Sequence, residues 1–155
     1  MRREIVSFHR DELDDWVAML ACAHQQHVRH MPPFTLRPWT QTAAGRASMV
    51  GQTLECAACE RMELPERVSH YRSTPVFDET SVPKGLLRDH QTKRGVWGQI
   101  RVLHGELEYC VTTPFAHRQR ITPETRGIIA PETLHYVTPL GAVSFCVEFL
   151  KVADD

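Results

Sequence analysis

Trp97-Gly-Gln-Ile-Arg-Val-Leu-His-Gly-Glu-Leu-Glu-Tyr-Cys-Val-Thr112 is the stretch that decides the fold. Leu107, Tyr109 and Val111 alternate with Glu106, Glu108 and Cys110, the period-two pattern of a strand with one buried face. Trp97–Leu103 reads as the strand before it, and His104-Gly105 as the turn between them. Two further runs follow, Arg126–Ala130, ended by Pro131, and Val143–Phe149, which again alternates. Short strands divided by glycine or proline turns every ten or so residues predict a sandwich or barrel. Helical turns are confined to Glu79–Leu87 and Pro123–Arg126, and Pro83 argues against anything longer.

Upstream the character changes near residue 62, which predicts two domains, 1–61 and 62–155. Glu4–His9 reads as a strand, Arg10–Asp15 as an acidic turn, and Trp16–Cys22 as a second strand ending on a cysteine. Helix competes over Asp11–Ala23, because Asp11 could cap it and alanines are frequent. Pro32, Pro33 and Pro38 forbid regular structure over His30–Trp39. About sixty residues with such a centre bury little apolar surface, so this part needs a staple.

The whole chain has 155 residues, a formal net charge of −1 and 42% apolar residues, the composition of a globular protein. No run approaches the length of a membrane span, and no apolar segment follows Arg2 and Arg3, so neither a membrane segment nor a signal peptide is expected. A reducing, cytoplasmic setting follows, in which five cysteines need a purpose other than disulfides. From Trp16 to Leu54 there is no acidic residue, while Arg29, Arg37 and Arg46 are present. Such a stretch could face nucleic acid, but a sequence pI near 6.7 does not favour that partner.

Cys22-x-His24 and Cys56-x-x-Cys59 are two ligand pairs some thirty residues apart, the arithmetic of a tetrahedral, structural zinc site. His27 or His30 could replace His24. A redox role for Cys56-x-x-Cys59 is weaker, because no βαβ pattern surrounds it.

Two resemblances extend these readings. Phe8-His9, Asp11-Glu12, Asp15–Ala18, Cys22-x-His24, Gln26–His30, Pro32-Pro33, Arg37–Trp39, Gly45-Arg46 and Cys56-x-x-Cys59 resemble a small bacterial family of uncharacterised proteins, sometimes labelled pressure-regulated. The second covers residues 64–151. It rests on Tyr71-Arg72, Thr74-Pro75-x-Phe77, Val82-Pro83-x-Gly85-Leu86-Leu87, His90-x-Thr92-Lys93-x-Gly95–Gly98, Val102-Leu103-x-Gly105, Ile129-x-Pro131, His135-x-Val137 and Val147–Phe149. These resemble the cupin-like domain of the tellurite-resistance protein TehB and the related YeaR-type proteins.

That resemblance implies a cupin-type double-stranded β-barrel, so with the zinc-stapled β module read from the cysteine spacing the chain is expected to be mainly β. It also implies a link to tellurite resistance or to nitrate and nitrosative stress. Cupins usually hold a divalent metal on several histidines and a glutamate. His90 and His135 fit the first and last of those positions, but Thr92 and Trp97 or Gly98 stand where the others should be. Glu148 is the candidate third ligand, with pairing to Arg101 or Arg88 as the bland alternative. Arg88 and Lys93 could steer a small anion or metal complex to the mouth. A homodimer is expected by the same analogy. No glycine run forms a G-x-G-x-x-G loop, so methyl transfer is not implied. The rival functions are a metal-dependent oxygenase or isomerase, and a regulatory protein binding nucleic acid.

Overall fold

The computed structural model describes residues 1–153; Asp154 and Asp155 lie outside the described residues. The chain forms two compact units, Met1–Ala57 and Ala58–Asp155, so the division falls a few residues before the expected 61/62 boundary.

The first unit is an antiparallel sheet of order β3-β2-β1-β4, built from β1 (Arg2–Arg10), β2 (Trp16–Leu20), β3 (Gln25–His27) and β4 (Thr53–Glu55). β1 and β2 form the expected hairpin, pairing Phe8 with Ala18 and Arg10 with Trp16. Asp11 settles the competition with helix. Its carboxylate accepts the N–H groups of Leu13 and Asp15, both at 2.9 Å, so it closes a turn instead of capping a helix. The proline-rich stretch is irregular but for a bridge between Met31 and Thr35 and a 3-10 turn at Pro38–Gln41. Helix α1 (Ala43–Met49) starts on Thr42, whose hydroxyl accepts the Gly45 N–H at 2.9 Å. Helix α2 (Ala57–Glu60) is a single turn that begins on the last residue of this unit. The largest fully buried side chains here are Ile5, Leu20, Val17 and Val28, a core without an aromatic.

The second unit has two antiparallel sheets. One runs β10-β7-β12-β5, with β6 also on β12; the other runs β11-β8-β9. Their strands are β5 (Val68–Ser73), β6 (Phe77–Asp78), β7 (Trp97–His104), β8 (Leu107–Thr113), β9 (His117–Ile121), β10 (Arg126–Ile129), β11 (Leu134–Pro139) and β12 (Ser144–Val152). Inward residues of both sheets share one core around Ile100, Leu107, Tyr109, Ile121, Val137 and Phe145. The β7–β8 turn depends on Gly105. Its φ is +80°, and a Cβ there would meet the Ala142 carbonyl oxygen at 2.1 Å. Of the two expected helical turns, one is a 3-10 turn at Lys84–Leu87. The other is the turn around Thr122–Thr125, after which Arg126 opens β10.

Candidate functional site

In the first unit, Cys22 and His24 sit on the turn after β2, and Cys56 follows β4. One helical turn, α2, carries Cys59 back beside Cys56. The four ligand atoms lie within 4.8 Å of one another, and all three thiols are buried. His24 Nδ1 is 3.5 Å from Cys22 Sγ and 3.4 Å from Cys56 Sγ, and the two sulfurs are 3.9 Å apart. The five cysteines form no disulfide among the described residues. This cluster could hold a metal ion. His27 and His30 point elsewhere. His27 Nε2 is 2.6 Å from Asp11 Oδ2, and His30 Nδ1 accepts the Arg37 N–H at 3.0 Å. The arginines of the acid-free stretch are also engaged, Arg29 with Asp15 at 2.8 Å and Arg46 stacked 3.7 Å over the Trp16 ring.

In the second unit, His90 and His135 meet as an antiparallel bridge. Each backbone N–H donates to the other's carbonyl, at 3.0 and 2.9 Å. Their rings lie 4.1 Å apart, centroid to centroid. Each Nδ1 is 2.9 Å from the carbonyl two residues upstream, Arg88 for His90 and Thr133 for His135. A carbonyl only accepts, so each ring carries a proton on Nδ1 and leaves Nε2 as its second nitrogen. Burial pushes His135 down to about 4, against the Thr133 carbonyl, which favours its charged form. It is therefore neutral at neutral pH. Burial likewise raises the Tyr109 phenol, whose hydroxyl donates to the Ile128 carbonyl at 2.9 Å.

The pair lines a cavity of about 290 Å³. Leu86, Val96, Ile129, Val147 and Phe149 give it an apolar wall. Tyr71, Arg72, Thr74, Gln91, Thr92 and Lys93 add polar groups, and no carboxylate among the described residues lines it. Glu148 is not there. On β12, Val147 and Phe149 face the cavity, so the residue between them faces the other way. Its oxygens lie 3.4 Å from Arg101 and 3.6 Å from Arg126, which is the bland alternative realised. Lys93 lines the cavity, whereas Arg88 reaches the site only through its carbonyl. Arg72 is the cation that site-by-site reading of the sequence passed over. Its signal was weak, because β5 lacks the apolar alternation of a strand.

Comparison with known proteins follows this division. Residues 72–147 match the TehB-like domain family, and residues 6–63 match a family described only as a protein of unknown function, DUF3565. The uncharacterized protein YeaR, from Escherichia coli strain K12 and from O157:H7, is 31% identical over 51 residues. That match spans 31% of this chain and 43% of YeaR, so less than half of these curated relatives is covered. Among solved structures, TehB from Haemophilus influenzae superposes with a TM-score of 0.52 at 25% identity, over 56% of this chain and 32% of TehB. A protein from Escherichia coli strain K12 superposes with a TM-score of 0.54 at 23% identity, over 59% of this chain and 98% of its own. The second likeness bears on the fold alone. No helix among the described residues is long and apolar enough to cross a membrane.

Proposed function

We propose that this is a cytoplasmic, stress-associated metal protein in two parts. The first is a zinc-stapled module. The second is a cupin-type barrel that takes a small anion or metal complex, in the setting of tellurite resistance that its TehB-like relatives suggest.

The zinc reading rests on donor chemistry and spacing. Three thiolates and one imidazole are a closed, structural donor set. A tetrahedral ion at zinc's usual bond lengths needs sulfurs about 3.8 Å apart and nitrogen about 3.6 Å from sulfur. The 3.9, 3.5 and 3.4 Å among Cys22, His24 and Cys56 are close to those values, and the Cys59 sulfur lies within 4.8 Å of each of them.

The observation that carries the barrel's role is the pairing of His90 with His135, each ring fixed through its Nδ1 with Nε2 left for a ligand. Carbonyls that hold the second ring nitrogen are the usual outer partners of metal-bound histidines. Two imidazoles with no carboxylate beside them among the described residues suit a divalent ion that keeps open positions. Lys93 and Arg72 would favour an anion in those positions. Binding is preferred to oxygenase or isomerase turnover, because the carboxylate that such a site would draw on, Glu148, is held by arginines on the other face.

Elemental analysis of the intact protein tests both parts. Wild type should carry one zinc plus a second divalent ion. The double variant His90→Ala/His135→Ala should lose the second ion and keep the zinc. Unchanged metal content in that variant would contradict the barrel reading.

A further inference from the structure

The polar side chains around the His90–His135 cavity are not all free to meet a ligand. The Thr74 hydroxyl donates to the Pro75 carbonyl at 2.8 Å and accepts the Val147 N–H at 3.0 Å. The Thr92 hydroxyl donates to the Val96 carbonyl at 2.7 Å. A hydroxyl has one proton, so neither threonine has a donor left. Besides the histidines, that leaves Tyr71, Arg72, Gln91 and Lys93, all four exposed. Apart from the two imidazoles, the cavity is polar at its rim and apolar in its body. Strand pairing builds that body. Phe149 stands opposite Arg72 on one side and Gly98 on the other, and Gly98 opposite Ile129, so this row shares one face of its sheet. Ile129 leans over Gly98, its Cδ1 3.0 Å from where a Cβ would stand. At the rim the charge is uncompensated. Arg101 and Arg126 share Glu148, whereas Arg72 and Lys93 have no ion-pair partner among the described residues.

We propose that the ligand of this cavity is an organic carboxylate with a compact apolar body. Its carboxylate sits on Arg72 and Lys93, and its body lies against Leu86, Ile129, Val147 and Phe149. The inference rests on the cavity being the anion site proposed above, and it states which kind of anion fits. An inorganic oxyanion is polar on every side. Inside this cavity it would give up water for hydrocarbon over much of its surface, with few donors in return. Size argues the same way. A dry cavity of about 150 Å³ holds benzene, so one of about 290 Å³ has room for about ten non-hydrogen atoms. An apolar body of that size gains by leaving water for the wall, which an oxyanion of a few atoms cannot do. The charged end is matched as well. The Arg72 guanidinium can meet both carboxylate oxygens with two N–H groups, and Lys93 adds a point charge.

Isothermal titration calorimetry on the intact protein tests this with three probes: phenylacetate, its neutral analogue phenylacetamide, and selenite. Phenylacetate should bind with a negative heat-capacity change, the mark of apolar burial. Its Kd should be at least about tenfold below those of the other two, since one of them lacks the charge and the other the body. Arg72→Gln should raise the phenylacetate Kd at least about tenfold and leave the amide's unchanged. Val96→Asn makes the wall polar at a position outside the main core cluster. It should raise the phenylacetate Kd about threefold without altering the circular dichroism. Selenite bound and phenylacetate refused would leave the anion site standing and overturn the organic ligand. Phenylacetate and its amide bound equally would remove the role of Arg72 and Lys93, and overturn it too. No binding of any probe would overturn both this inference and the anion site on which it rests.

Discussion

The two units solve the same problem by different means. In residues 68–152 Tyr109 and Phe145 lie fully buried among aliphatic side chains in the core that the two sheets share. In residues 1–57 nothing larger than leucine or isoleucine is fully buried, and the positions nearest the centre include Cys22 and Cys56, with Cys59 just beyond. At roughly 25 cal/mol per Å² of apolar surface, a core of four aliphatic side chains offsets little of the entropy of ordering some sixty residues. The thiols and imidazole supply what packing does not. On the proposed reading, one unit is stable through its core, and the other through an ion held at its cysteine cluster.

That contrast orders the expected effects of substitution. The largest should come from Cys56→Ser/Cys59→Ser. Structural zinc contributes about 10–16 kcal/mol of apparent binding energy, so residues 1–57 should lose their dispersed NMR signals while those of 68–152 persist. Phe145→Ala should do the converse at smaller cost. Phe145 is fully buried and packs edge-on to Phe77, and removing such a ring costs about 3–5 kcal/mol. Its urea midpoint should fall with zinc content unchanged. A common loss of both units in either variant would break the comparison.

A smaller effect concerns acid. The unfolded chain takes a proton on His135 near 6.5, whereas the folded, metal-free second unit resists until about 4. The unfolded state thus binds more protons in that window, and stability must fall as pH drops through it. The full loss is on the order of 3 kcal/mol. Urea titrations of the second unit between pH 7 and pH 4 should show this slope, and His135→Asn should flatten it. Smallest is Tyr109→Phe, which leaves the Ile128 carbonyl without its 2.9 Å donor and should cost about 1 kcal/mol.

Much of this was readable in the chain itself. Cys56-x-x-Cys59 is a local signal, since one helical turn suffices to bring both sulfurs together. Strands β7, β8, β10 and β12 carry enough apolar alternation to be seen. His117-Arg-Gln-Arg-Ile121 does not, because its outward positions are arginines that pair with Glu108 and Glu106 across the sheet. Glu148 is more instructive. Val143, Phe145 and Val147 are buried, and the alternation of that run already puts Glu148 on the opposite face. The phase of the strand outweighed the appeal of a carboxylate near the end of the chain. The meeting of His90 with His135 is a tertiary fact. It depends on a loop residue bridging to β11, which no local pattern announces.

Hydrogen exchange on the intact protein, before and after zinc removal by a chelator, tests the division of labour most directly. Metal removal should strip protection from β1, β2 and α1 and leave β7, β8 and β12 protected as before. Protection retained in β1 and β2 after the zinc is gone, or lost in both units together, would contradict the account.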